Sequence, residues 1–302
     1  MFGRLAGTFA KSFSQKAAVM AVTAVSAAGV AFATQRKLAS AEASAHGGLN
    51  PKDFVPLKVA AVETYNYNTK IISLALESPS AQANLPITSY VVTRADGLTA
   101  DGKPTMRPYT PIHSNKNGVV TLLVKEYPTG TMSKHLCNLK VGDSVDVKGP
   151  LPKYKYTPNE VKKVTLIAGG TGITPVLQLA EAILANKEDK TKVEFVFANT
   201  SQKDILLKSE LDALAAKHKD QVKMTYVIDK PEAGFTGHTG YLTKDLLSKL
   251  VDKPSADNKV FVCGPPGFMT AVSGAKAPDY SQGEVDGALK ELGFTKDNVF
   301  KF

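Results

Sequence analysis

The chain has no tryptophan, two cysteines and five histidines among its 302 residues. Two cysteines, Cys137 and Cys263, cannot build a disulfide framework or a cysteine-rich cluster. The histidines at 46, 113, 135, 218 and 238 show no HExxH or comparable ligand spacing, so no protein metal site is expected. Acids are missing from the N-terminus: five of the 37 basic residues (Arg4, Lys11, Lys16, Arg36, Lys37) and none of the 28 acidic ones fall within residues 1–41. The net charge of +9 is therefore concentrated there, and the rest of the chain is only mildly basic. No nucleic-acid partner is expected; the lysine surplus of the body is a solvated surface or a docking face for an acidic protein. With 43% apolar and 22% charged residues, the composition excludes disordered, collagenous and coiled-coil chains, and the length suits two domains.

In residues 1–16, Phe2, Leu5, Phe9 and Phe13 recur at helical spacing with Arg4 and Lys11 on another face, the pattern of a mitochondrial presequence. Residues 17–35 follow without a charge, nineteen residues or ~28 Å as a helix, barely enough to cross a bilayer, and eight of them are alanine. A weak membrane anchor or sorting segment behind a mitochondrial address is the preferred reading; a secretory signal and a presequence removed whole are the alternatives. Residues 36–52 read as a linker.

From 53 to 155 strand signals dominate: Leu57–Val62, Thr69–Glu77, Ser89–Arg94 and Val119–Tyr127, separated by Asp96-Gly97, Asp101-Gly102, Asn117-Gly118 and Gly142-Asp143. One short helix is expected at Met132–Leu139, and the whole resembles an antiparallel barrel. From 156 to 302 strands at Val164–Ala168, Val193–Ala198, Val222–Ile228 and Val260–Cys263 alternate with helical stripes, which predicts a parallel sheet covered on both faces.

Gly169-Gly170-Thr171-Gly172-Ile173-Thr174-Pro175 stands where a strand gives way to a helix. Glycines there let the backbone turn tightly and approach a pyrophosphate; Thr174 is a candidate N-cap and Pro175 a candidate first helical residue. Arg107-Pro108-Tyr109-Thr110 lies in the barrel half, Gly130-Thr131-Met132-Ser133 opens the short helix, and Cys263-Gly264-Pro265-Pro266 ends a strand at the carboxyl edge of the parallel sheet. Taken alone, the arginine-aromatic-hydroxyl set and the strand cysteine are more often structural packing, and the helix-opening Gly130–Ser133 is of low specificity.

In this order, over a barrel and an α/β half, the four motifs resemble the ferredoxin-reductase-like flavoproteins, and among them the NADH-cytochrome b5 reductases of the fungal mitochondrial type. The resemblance implies a Greek-key FAD barrel followed by a Rossmann-like NADH domain. It implies that FAD is bound by Arg107 at the pyrophosphate, by Pro108, Tyr109 and Thr110 beside the flavin, by Lys125 and Tyr127, by Gly130, Thr131, Met132 and Ser133 at the phosphates, and by Thr174 from the second domain. For NADH it implies Gly169, Gly170, Thr171, Gly172 and Thr174, with Cys263 beside the nicotinamide, Gly264, Pro265 and Pro266 shaping its pocket, and Thr200, Asp229 and Tyr241 toward the adenosine. Thr110, Lys125 and Cys263 are the implied catalytic contacts. Asp229 would favour NADH over NADPH, because a carboxylate bonds a ribose hydroxyl and repels a 2′-phosphate. The implied activity is hydride transfer from NADH to FAD, then single-electron delivery to cytochrome b5 or a similar acidic haem protein, which Lys153, Lys155, Lys162 and Lys163 would steer. The expected state is a monomer at the mitochondrial outer membrane, in the intermembrane space, or both.

Overall fold

A computed structural model describes residues 45–113 and 116–302. The presequence and uncharged segment expected within 1–35 lie outside the described residues. Among the described residues, no helix is long and apolar enough to cross a membrane.

The first half is a six-stranded antiparallel sheet: β1 (Val55–Asn66), β2 (Thr69–Ala75), β3 (Ser89–Ala95), β4 (Thr105–Tyr109), β5 (Val119–Lys125) and β6 (Ser144–Pro152). Their spatial order is β4-β3-β6-β1-β2-β5. Hairpins join β1 to β2 and β3 to β4, while β6 returns between β3 and β1, the Greek-key arrangement the family resemblance implies. Just past β4, Ile112 bridges Thr121 of β5 and brings the two ends of the sheet together into a barrel. Alternation places Leu57, Val59, Ile72, Leu74, Val91, Val145 and Val147 inside it. Helix α1 (Thr131–Cys137) packs Met132, Leu136 and Cys137 into the same core.

The linker expected over 36–52 ends sooner than its composition suggests. Leu49 is wholly buried in the barrel core, and the Asn50 carbonyl accepts the Gly149 amide at 3.0 Å. One buried leucine among Ala, Ser and Gly leaves no periodicity for a sequence reading to find.

The second half is a parallel sheet of order β10-β9-β8-β7-β11-β12. Its strands are β7 (Lys163–Gly169), β8 (Lys192–Asn199), β9 (Val222–Ile228), β10 (His238–Thr239), β11 (Asn258–Cys263) and β12 (Val299–Lys301). Helices α2 (Ile173–Ala185) and α3 (Lys208–Lys217) pack with Leu166, Ala168, Phe195 and Phe197 in one buried cluster. Helices α4 (Lys244–Leu250), α5 (Pro266–Val272) and α6 (Gly287–Glu291) pack with Ile167, Val196, Val260 and Val262 in another. Neighbours along β7 thus point to opposite faces, which is why it reads as a continuous apolar run. The chain steps outward from β7 through β8 and β9 on one side and returns to β11 and β12 on the other. The reversal between β7 and β11 is the topological switch point, where α/β sheets bind ligands.

Candidate active site

At the switch point Ala168 pairs with Cys263, so the turns leaving β7 and β11 lie side by side. A Cβ on Gly172 would fall 2.1 Å from the Cys263 carbonyl oxygen and 2.8 Å from the Gly264 nitrogen. Added Cβ atoms on Gly169 and Gly264 would strike the ring of Phe268 at 2.9 and 2.3 Å. Gly172 therefore lets two main-chain turns meet, and Gly169 and Gly264 make room for the Phe268 ring. Gly170 differs: its φ is +52°, and the nearest atom to an added Cβ is the Tyr127 hydroxyl at 3.9 Å, so its open side is free for a ligand.

The helix start is not as predicted. A 3-10 turn over Gly170–Gly172 leads directly into α2, whose N-cap is Gly172. Thr174 already lies within the helix, its hydroxyl donating to the Thr171 carbonyl at 3.1 Å, and Pro175 is the third helical residue. Both roles shift because the tight turn begins the winding early; Pro175 still sits where an amide has no intrahelical acceptor.

Cys263 stands at the carboxyl end of β11, and burial pushes its thiol up to about 12. It is a neutral thiol at physiological pH, suited to packing against a ring rather than to nucleophilic attack. Beyond it, Pro265 caps α5 and Pro266 is its first residue.

On the barrel side, β4 is an edge strand, which is why it tolerates Pro108. Arg107 is exposed, and its guanidinium donates at 2.7 Å to the carbonyl of its own neighbour, Met106, leaving most of its donors free. Tyr109 is half-buried beside Cys137, Arg107 and Tyr127, and burial raises its phenol. Thr110, half-buried, follows at the end of the strand. Tyr127 reaches across the domain seam to within 3.3 Å of the Thr171 hydroxyl, joining a residue implied for FAD to one implied for NADH. Near the start of α1 the expectation changes in detail. Ser133 is buried, accepts from the Tyr127 amide at 3.3 Å and donates to the Gly130 carbonyl at 3.2 Å, so its hydroxyl serves the turn. The Met132 side chain is core, leaving only its backbone for a ligand.

These residues fit an FAD. Most donors of the Arg107 fork remain after its bond to Met106, and an open cleft of about 590 Å³ is lined by Gly130, Thr131, Lys134, His135 and Asn138. Arg107 suits the pyrophosphate, the cleft wall its phosphates, and Tyr109, Thr110 and Thr174 the ring.

Lys125, implied as an FAD contact and a catalytic residue, is engaged within the protein itself. Its ammonium is bound to Asp204 at 2.7 Å, the two side chains being 14% and 5% exposed. Tyr67 and Ser201 donate to the same carboxylate at 2.7 and 2.8 Å. Burial works to raise the Asp204 carboxyl, but the bonds from Lys125, Tyr67 and Ser201 outweigh it and hold the group down at about 2. A carboxylate depressed from 3.8 stabilises the fold at neutral pH and loses that contribution only as pH falls through the lower value. Lys163, one of the proposed steering lysines, is likewise spent on Glu194 and Asp252, and Lys162 pairs with Asp257 at 2.7 Å.

At the far edge, the loops after β8 and β9 zip together: the Asp229 amide donates to the Asn199 carbonyl at 3.0 Å and the Lys230 amide to Thr200 at 2.8 Å. Tyr241 bonds Asp229, which raises its phenol, so the three residues implied for the adenosine end are gathered. Two buried amides escaped the sequence reading. Asn199 and Gln178 are each 8% exposed, and neither carboxamide has a hydrogen-bond partner among the described residues. Gln178 lines an 80 Å³ cavity with Thr174, Pro111 and His113 at the seam. Unsatisfied buried amides of this kind call for a ligand or water; the only sequence signal was a polar residue interrupting an apolar stripe.

Residues 56–156 match the family model of an oxidoreductase FAD-binding domain, and 166–274 that of an oxidoreductase NAD-binding domain. NADH-cytochrome b5 reductase 2 of Lodderomyces elongisporus is 46% identical over 82% of this chain and 83% of its own length. The protein of the same name from Scheffersomyces stipitis is 41% identical over 98% of this chain and its full length. Among solved structures, the cytochrome b5 reductase domain of Ulva prolifera nitrate reductase superposes with a TM-score of 0.71 at 30% identity, over 84% of this chain and 98% of that domain. On fold, assembled half-sites and identity together, the chain belongs to the NADH-cytochrome b5 reductase family.

Proposed function

We infer that the chain passes electrons from NADH through bound FAD to cytochrome b5 or a closely similar acidic haem protein. The observation that carries this reading is the switch point at Gly170–Thr174 and Cys263, which the barrel residue Tyr127 meets across the domain seam through its contact with Thr171. FAD when bound supplies the chemistry, accepting a hydride and releasing electrons singly. The protein's part is to bind and orient. Arg107 anchors the dinucleotide, the Gly170 turn admits the nicotinamide nucleotide, and the neutral Cys263 thiol offers an uncharged surface to its ring. One copy holds both half-sites, so a monomer suffices. Anaerobic addition of NADH to the purified full chain should bleach its flavin spectrum, and oxidised cytochrome b5 should then restore it while the haem is reduced. Bleaching without haem reduction would replace the acceptor; a preparation that takes up no FAD would overturn the reading.

The carboxylate of Asp229, held at the sheet edge with Thr200 and Tyr241, supports NADH over NADPH. In Asp229→Ser the ratio of kcat/KM for NADH to that for NADPH should fall by about tenfold or more, since the change removes both a ribose acceptor and a repulsion. An unchanged ratio would remove Asp229 from the specificity determinants.

The N-terminal pattern supports a mitochondrial address with an outer-membrane anchor, release into the intermembrane space, or both. The Scheffersomyces relative aligns over nearly the whole chain, this region included. A fusion of residues 1–50 to a fluorescent protein should co-fractionate with mitochondria, and protease treatment of intact organelles separates the two destinations. A cytosolic fusion would end this part of the proposal.

A further inference from the structure

The tip of the β1–β2 hairpin lays three consecutive residues on the segment that follows β8. Asn66 Nδ2 donates to the Lys203 carbonyl at 3.0 Å, Tyr67 Oη donates to Asp204 Oδ1 at 2.7 Å, and Tyr65 Oη accepts the Leu207 amide at 2.7 Å. Lys125, at the end of β5, closes on the same Oδ1. The barrel therefore contributes four groups and the α/β domain one short stretch, 203–207. Leu207 holds a φ of +54°, a region leucine rarely adopts, and its amide is the one Tyr65 takes.

The stretch is well placed to transmit position. It begins four residues after Asn199 and three after Thr200, the loop that zips to Asp229 at the nucleotide edge. On the barrel side, Lys125 lies two residues before Tyr127, which touches Thr171 at the switch point. Exposed ion pairs hold little, but this one is almost wholly enclosed, and three side chains, Lys125, Tyr67 and Ser201, converge on its carboxylate, so cutting one partner leaves a buried charge alone.

We propose that the Tyr65–Tyr67 hairpin tip, gripping Asp204 to Leu207, is an interdomain latch that sets the separation of the flavin and nicotinamide half-sites, with Asp204 and Tyr67 as positioning residues for hydride transfer. The proposal rests on the NADH-to-flavin reading above. Misplacing reactants by about 1 Å costs on the order of 100-fold in rate, so a latch that touches neither cofactor still governs turnover.

The test compares full-length wild type, Asp204→Asn and Tyr67→Phe as FAD-loaded proteins. In Asp204→Asn the limiting rate of flavin reduction by NADH should fall about tenfold or more, and in Tyr67→Phe about threefold, with the NADH concentration dependence little changed. Ferricyanide reoxidation of dithionite-reduced flavin, which needs no nicotinamide placement, should stay at the wild-type rate. Two readouts independent of turnover should move together: faster hydrogen exchange at the Leu207 amide, and a weaker long-wavelength charge-transfer band when NAD⁺ meets reduced flavin. Tyr67 is 70% exposed, so losing its hydroxyl leaves folding intact and keeps the test decisive if Asp204→Asn does not accumulate. Wild-type limiting rates and charge-transfer bands in both variants would overturn the latch, as would a change confined to NADH affinity. A wild type that NADH does not reduce would instead overturn the underlying reading.

Discussion

Replacing Gly172 with alanine is expected to cut NADH-driven flavin reduction by about 100-fold while leaving FAD bound. The added methyl carbon would lie 2.1 Å from the Cys263 carbonyl oxygen, 2.4 Å from its carbonyl carbon and 2.8 Å from the Gly264 nitrogen. All three obstacles are main chain of the neighbouring turn, so no side chain can swing aside. The turn after β7 and the turn after β11 must separate, and these two turns are the proposed floor of the nicotinamide half-site. Overpacking against rigid backbone also costs on the order of 3 kcal/mol, which a thermal melt would register. The FAD half-site rests chiefly on the barrel, so dithionite should still reduce the flavin and ferricyanide reoxidise it at wild-type rates. Gly170→Ala makes the contrast. Its Cβ would have room, with Tyr127 Oη at 3.9 Å, and the penalty would come only from the positive φ and the loss of ligand approach. If Gly172→Ala reduced its flavin at the wild-type rate, the close approach of the two turns would have no part in placing the nicotinamide.

The same two glycines mark how much was legible in the chain. Both stand in one Gly-rich turn, and spacing alone assigns both to a phosphate. Only the fold separates Gly172, pressed on Cys263, from Gly170, which faces open space. The change of period near residue 155 was readable because β7 and α2 are long apolar elements whose pattern answers to one buried face. β12, with three residues, and β10, with two, were not, since such short strands owe their existence to the neighbour they pair with. β6 passes through Gly149-Pro150, which reads as a turn, yet Val145 and Val147 fill the barrel between β3 and β1. Lys125 shows the limit most clearly. Its identity fits a cofactor contact, but its partner Asp204 lies 79 residues away and comes from the other domain. No local pattern encodes that meeting, and the surrounding KDILL stretch reads only as the approach to a helix. Thr174 failed for a different reason: the residue type suits a cap, but the 3-10 turn before it had already started the helix.

Arg107→Ala should leave a protein that folds and does not keep its flavin. The side chain is exposed on an edge strand, and among the described residues its hydrogen bond goes to the carbonyl of Met106, so folding loses little with it; surface changes of this kind stay within about 0.5 kcal/mol. FAD binding loses much more. A guanidinium fork paired with a pyrophosphate makes two charge-assisted hydrogen bonds, each contributing about 1.5–3 kcal/mol, so their removal weakens FAD by roughly 100-fold or more. Arg107→Lys should fall between, because an ammonium keeps the charge and loses the planar pair of donors. The measurement is the FAD-to-protein ratio after gel filtration, with the dissociation constant taken from recovery of flavin fluorescence on dilution. The order wild type, lysine, alanine is the expected result, at melting temperatures for the flavin-free proteins that hardly differ. A full flavin complement in the alanine variant would assign the pyrophosphate to the cleft at Gly130 and Thr131 and leave Arg107 as a solvent-facing charge.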